Sequence, residues 1–382
     1  MSQTIGAVVM VGGSGTSAHE QLVQSAIRAS ALDLIRQLQQ FEIAPIVVAS
    51  PSTDWCATLQ GILCEPDPPE RPFHFGRRLA ELIEAHQLDT VFYFGGGSAP
   101  LLDNNLLTMA GMFLEQATQG TSTNIPLHIA LTNNYHSSDW VAFSRAQDAL
   151  PIIREADRDN SLAWLLAHSG LYDVRVLTRM RPAAGLDLDT PSDLAVVAQH
   201  PEIKPALAAY LKTHDALSAI PVQPVLQIAA TAESHLTLIG RVSPQAWQAL
   251  NKVTQCWIRV YAEERGMVAS GRLARGEVKS LPGELIKTQG AYGFFRTLSN
   301  MTDAAIIDSR PLMAAAGIWP EAAQRFASDL FDSESIADGW LKDFTLAARE
   351  ASIPILLGGH SVVAGGIFVL AEIIEQSKAS AR

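Results

Sequence analysis

A strand pattern over residues 5–11, carrying the buried-type run Val8-Val-Met-Val11, stops abruptly at Gly12-Gly13-Ser14-Gly15. Helical spacing follows at Leu22, Ile27, Leu34, Ile35 and Leu38, which gives a one-sided apolar stripe over 20–40. An apolar strand feeding a glycine turn and then an amphipathic helix is the opening unit of a layered α/β sheet. The alternation continues through the first half. Strand patterns lie at 43–49, 90–94, 127–131, 140–143 and 174–177, with helical stretches at 75–86, 104–116 and 161–168. Residues 65–72 hold four prolines and read as a surface loop, because each proline removes an amide donor.

A chain of 382 residues exceeds the ~250–300 at which one core stops growing, so two domains are expected. We place them at 1–220 and 221–382. The second begins with a strand at 235–239 and a helix capped by Ser243 and running to about Glu264. Helices at 283–298, 321–331 and 335–351 and strands at 304–307 and 354–357 complete a mostly helical α/β domain, while 200–225 reads as a helix and linker. The net charge of −11 argues against nucleic acid or an anionic membrane as partner. No apolar run reaches the ~20 residues of a membrane span. Cys56, Cys64 and Cys256 are too few for a disulfide framework, which suits a cytoplasmic setting.

Four segments of the first half carry chemistry. Glycine amides at Gly12, Gly13, Ser14 and Gly15 can face phosphate oxygens, with the positive end of the following helix aimed alike; a purely structural tight turn is the alternative. Gly96, Gly97 and Ser98 end a strand and offer amides to an anion or sugar hydroxyl, or simply make a turn. Asn133, Asn134 and His136 follow another strand, where open α/β sheets bind ligands, although Asn-Asn also forms turns unaided. Asp187 and Asp189 alternate on extended chain and share a face, so they could hold a divalent cation. Alternatively, Asp189 satisfies loop amides while Thr190 and Pro191 open a helix.

The glycine loop, the run Gly96-Gly-Ser-Ala-Pro-Leu-Leu102 and the segment Asp187-Leu-Asp-Thr-Pro-Ser-Asp-Leu194 together resemble one superfamily over the first 200 residues. It comprises the nucleotidyltransferases of the molybdenum-cofactor guanylyltransferase and 2-phospholactate guanylyltransferase type. The resemblance implies a three-layer, GT-A-like sheet domain, a nucleoside triphosphate or other phosphorylated small molecule as partner, and Mg2+ held by Asp187 and Asp189. It also implies in-line attack of an acceptor on the α-phosphorus. Two departures bear on activity. Where the family commonly carries arginine or lysine after the glycines, this chain has Thr16-Ser-Ala-His-Glu20, with Arg28 next. Where the family's Gly-Asp-x-Pro-Leu-Leu places a magnesium-binding aspartate, Pro100, Leu101 and Leu102 match, but Gly96, Gly97 and Ser98 replace it.

The second half offers two constellations. Ile306-Ile-Asp-Ser-Arg310 and Leu356-Leu-Gly-Gly-His-Ser361 each follow a short strand. Were those strands neighbours, Asp308, Arg310, Gly359 and His360 would meet at one edge and could bind phosphate or carboxylate, or merely form ion-paired turns. Arg265, Arg272 and Arg275 lie among glycines in the densest basic patch, suited to an anion. Three readings follow. The chain is a nucleotide-binding protein with nucleotidyl transfer as its active form, a non-catalytic binding or assembly protein that kept the fold, or an enzyme centred on Asp308, Arg310 and His360; a homo-oligomer is a further expectation.

Overall fold

A computed structural model describes residues 5–13, 15–119, 128–177 and 182–380. The chain divides into two compact units. Unit 1 comprises Met1–Ser14, Gln24–Asp187 and Lys204–Leu207; unit 2 comprises Gly15–Val23, Leu188–Ile203 and Ala208–Arg382.

Unit 1 is built on β1 (Ile5–Met10), β2 (Ile46–Ser50), β3 (Ile62–Pro66), β4 (Thr90–Gly95), β5 (His128–Thr132), β6 (Trp140–Phe143) and β7 (Tyr172–Val176). They form one sheet in the order β3-β2-β1-β4-β6-β5-β7. Every pairing is parallel except those of β6 with β4 and β5. Alternation along β1 sorts its side chains onto two faces. Val8 and Met10 enter a core with α2 (Phe75–Ala85), α4 (Ala146–Arg154) and α5 (Leu162–His168). Ala7, Val9 and Val11 enter another with α1 (Ala18–Gln40) and α3 (Asn104–Gln119). The result is the three-layer α/β domain that the sequence predicts.

In unit 2 lie α6 (Pro191–Val197), the end of α7 (Pro205–Leu211), α8 (Val222–Ala230), β8 (His235–Gly240), α9 (Pro244–Val253), β9 (Trp257–Ala262), α10 (Leu281–Ser299) and β10 (Ala304–Asp308). Then come α11 (Arg310–Ala315), α12 (Ala322–Asp329), α13 (Gly339–Arg349), β11 (Ile355–Gly358) and α14 (Gly365–Ser380). The four strands make an all-parallel sheet, β11-β10-β8-β9. One face is covered by an apolar core in which Phe294, Phe295, Leu312, Phe331 and Phe344 meet Ile239, Ile307 and Leu357.

Several expectations need correcting. The helix begun at Ser243, whose hydroxyl accepts from the Ala246 amide, ends at Val253 rather than near Glu264. Trp257-Ile-Arg-Val-Tyr261 is rich in β-branched and aromatic residues and forms edge strand β9 instead. The segment 200–225 holds α7, the helix expected there, and the start of α8, while β3 runs into the first two residues of the segment read as a loop. Leu127, the first residue of a predicted strand, lies outside the described residues.

Candidate functional site

In unit 1, the ends of β1 and β4 and the segment reaching Asp187 meet at the carboxyl edge of the sheet, where open α/β folds place ligands. The Gly96 amide donates to the Met10 carbonyl (2.8 Å), and a Cβ at Gly96 would lie 2.8 Å from Val11 Cγ2. Only glycine lets β4 turn this close to β1. Ser98 then forms an isolated antiparallel bridge with Asp187, and the Ala99 amide donates to Leu186 (3.1 Å). Thus the Gly96–Ser98 turn lies against the end of β1, from which Gly12 and Gly13 lead on, and against Asp187, so three distant parts of the chain meet here. Gly12 and Gly13 are exposed, whereas Gly97 and Ser98 are buried. Ser14 lies outside the described residues, and Gly15 falls in unit 2.

Two further candidates lie in the β5–β6 turn. Asn133 is buried: its Oδ1 accepts from the Asp139 and Trp140 amides and its Nδ2 donates to Asp139, so it clips the β5–β6 turn. Asn134 Oδ1 accepts from the His136 amide, and both residues are exposed. Sequence reasoning missed Tyr93, Asp139 and Asp159. Burial, then the charges of Asp159, Asp139 and Asp187, push the Tyr93 phenol well above its ordinary value. The surroundings of Tyr93 are therefore acidic.

The start of α1 answers its own charge. Ser17 and Glu20 form a capping box: the Glu20 carboxylate accepts from the Ser17 amide and hydroxyl (3.1 and 2.8 Å), and Ser17 Oγ accepts from the Glu20 amide. The Ser17 amide, then its hydroxyl, hold the Glu20 carboxyl below the usual range. A carboxylate already sits where the helix dipole would favour an anion.

The two aspartates of the late segment part company. Asp187 ends unit 1, while Asp189 belongs to unit 2, exposed, its amide donating to Asp193 Oδ2 (3.2 Å). The buried Asp193 also accepts from the Thr190 amide and hydroxyl, closing the capping box of α6. Burial, then Asp189, push the Asp193 carboxyl well above its usual value. Among the described residues no group of three His, Cys, Asp or Glu side chains is arranged to hold a metal ion.

Unit 2 has its own constellation. Strands β10 and β11 are neighbours, so Asp308, Arg310, Gly359 and His360 do meet. Gly240 ends β8 at φ +110°, and a Cβ there would lie 2.6 Å from Asp308 Cβ. That approach delivers Arg241 to Asp308 in a two-pronged pair, Nε–Oδ2 2.6 Å and Nη2–Oδ1 3.1 Å. Burial alone would raise the Asp308 carboxyl, yet Arg241, with His360 and Arg310 beyond, holds it below the usual range. Arg310 grips Asp329 of α12 through two 2.6 Å bonds and donates to the Gly358 carbonyl. Burial pushes the His360 imidazole down to about 4, helped by Arg241 and Arg265 and opposed by Asp308. In the glycine-rich loop after β9, Arg272 pairs with Glu264 (3.0 Å) and Arg275 with Glu277 (2.8 Å). Arg241, Arg325 and Asp329 are the members that the sequence did not single out.

A cavity of about 650 Å3 lined by His74, Arg77, Glu81, Glu84, Arg154, Glu155 and Asp157 shares no residue with either constellation. No helix of the described residues is long and apolar enough to cross a membrane.

No protein-family model matches the chain, and no curated protein matches its sequence. Among solved structures, it is similar to one described as a nucleotide-diphospho-sugar transferase from Desulfovibrio desulfuricans, at 12% identity over 56% of this chain and 96% of that one, TM-score 0.41. A cytidylyltransferase from Leptospira borgpetersenii shares 12% identity over 56% and 96%, TM-score 0.39. The 2-C-methyl-D-erythritol 4-phosphate cytidylyltransferase from Thermus thermophilus shares 14% over 55% and 99%, TM-score 0.34. Likeness at this level leaves the chemistry to be argued from the side chains.

Proposed function

We propose that unit 1 binds a nucleotide or a nucleotide-like phosphorylated ligand in the crevice bounded by Gly12, Gly13, Gly96, Gly97, Ser98 and Asp187, with nucleotidyl transfer as the reaction it would serve. The observation that carries this reading is the bridge of Ser98 to Asp187, beside the bond from Gly96 to Met10. Exposed glycine amides can meet phosphate oxygens, and the bridge of buried Ser98 to half-buried Asp187 can meet a ribose hydroxyl.

The charge balance adds a condition. Between Gly12 and Arg28 there is no lysine or arginine, and Glu20 already occupies the positive end of α1. A polyphosphate therefore needs its own counter-charge. Mg2+ is usually held by one or two carboxylates, with substrate phosphates completing its shell, and Asp187 at the end of its segment of unit 1 fits that mode of binding. Asp187 would hold the ion, which would offset negative charge on the phosphates. The chain's own part is to orient: backbone amides fix the phosphates and Ser98 fixes the turn.

Thermal-shift measurement with nucleoside triphosphates tests the reading. A stabilisation that requires Mg2+ and disappears in Asp187→Ala supports it. A stabilisation indifferent to Mg2+ points instead to a non-catalytic binding protein, for which the self-capped α1 is the favouring observation. No stabilisation by any nucleotide defeats both.

A further inference from the structure

In unit 2, β8 connects outward to β9, while β10 connects the other way to β11. Adjacent parallel strands whose connections diverge leave a crevice outside their carboxyl ends, the usual ligand position in open parallel sheets. The residues leaving those ends are Arg241 from β8 and Asp308, Ser309 and Arg310 from β10. Arg241 and Arg310 meet here, Arg325 lies on the α12 face that carries Asp329, and Arg265 is near enough for its charge to reach His360. Asp193 and Glu263 add carboxyl groups to the two that form ion pairs. Asp308 takes Arg241, and Asp329 takes Arg310.

The other two arginines are left over. Arg325 lies four residues before Asp329 on α12, hence on the same face. Its guanidinium makes no hydrogen bond or ion pair among the described residues, and its buried Nε has no partner. What holds it is the ring of Trp319, 4.8 Å from the guanidinium carbon. Burial, then the charge of Arg310, work against its protonation; Asp329 favours it and Arg241 opposes it, with a net shift downward. Arg265, on the loop after β9, is exposed, its charge felt by His360. On that loop Glu264 is taken by Arg272, while Glu263, bonded to the Ser280 hydroxyl and the Leu281 amide, keeps a charge that reaches Asp308. A desolvated guanidinium beside other guanidiniums is costly to keep unless an anion completes it.

We propose that unit 2 carries a phosphate-binding site at the β8–β10 divergence, formed by Arg325 and Arg265 with Arg241 and His360 at its floor, for the dianionic head of a phosphomonoester. Neither the Arg325 nor the Arg265 guanidinium forms an ion pair among the described residues, and planar forks suit phosphate oxygens. Arg241 and Arg310 hold the site's shape through buried pairs, so Arg325 and Arg265 are the informative positions.

Calorimetric titration of the full chain with inorganic phosphate tests this, at constant ionic strength and with sodium acetate as control. The expected result is saturable phosphate binding that weakens by about tenfold or more in Arg325→Leu and in Arg265→Gln, and that is unchanged in Asp187→Ala. Arg325→Leu should also raise the unfolding midpoint in chloride buffer, because it removes an unpaired, half-buried charge, while abolishing the extra stability that phosphate confers on the wild type. A lower midpoint in chloride would mark Arg325 as structural and overturn the proposal. So would undiminished binding in both variants, equal binding of acetate, or no binding by the wild type.

Discussion

His360 should make stability fall in mild acid, by an amount that its surroundings set. The ring is buried beside Arg241, Arg265 and Asp308, hydrogen-bonds the Arg241 backbone, and titrates at about 4. In an unfolded chain it would titrate near the ordinary ~6.5. Because the folded value is the lower one, the unfolded chain takes up the proton first. The stabilisation is therefore complete above about pH 6.5 and is lost as pH falls towards 4. Linkage puts the loss at about 2 kcal/mol by about pH 5 and about 3 kcal/mol by about pH 4. Urea denaturation at fixed ionic strength, from pH 7.5 to 4.5, would measure it in the wild type and in His360→Gln. The glutamine keeps a hydrogen-bond donor but cannot titrate. Carboxylates such as Asp308 act in both proteins, so the difference between the two pH curves isolates the imidazole. Parallel curves would refute the reasoning.

Three further outcomes follow from the geometry. Asp329→Asn leaves buried Arg310 without its carboxylate and should cost about 3–5 kcal/mol of stability, read from the denaturant midpoint; a loss under 1 kcal/mol contradicts the pairing. Gly96→Ala drives a Cβ into Val11 and should cost about 1–3 kcal/mol while weakening nucleotide binding, measured by denaturation and calorimetry. Burial, then Cys64 at 3.2 Å, push the Cys56 thiol up to about 12, so alkylation of native protein near pH 8 should label Cys64 and spare Cys56, as peptide mass spectrometry would report.

What the sequence disclosed and what it hid divide along physical lines. Buried central strands were plain: residues 140–143 carry an uninterrupted apolar run, and the structure places β6 there, every residue buried. Edge strands were not. Strands β3 and β9 are half-exposed and lack a continuous apolar signature, so one passed for a loop and the other for the tail of a helix. Helix α4 was hidden by Pro151 inside it, and α14 by Gly365 and Gly366 at its start. Capping chemistry was legible, since Thr190, Pro191 and Asp193 follow local rules, as does Asp103, which accepts from the Leu106 amide. The gathering of Gly96–Ser98 with Asp187 could be anticipated from segments that end strands. Arg325 and Asp329 could not, because their relation to Arg310 arises only when α12 packs beside β11. Arg241 gave one faint signal, an arginine directly after the glycine that ends an apolar strand.

Hydrogen exchange of the full chain, read by mass spectrometry with and without a non-hydrolysable nucleoside triphosphate and Mg2+, tests the crevice of unit 1 most directly. The account predicts slowed exchange in peptides covering Gly12–Gly13 and Gly96–Ser98, only when both are present, and none in Asp187→Ala. Protection confined to other segments, or equal protection in the variant, would contradict it.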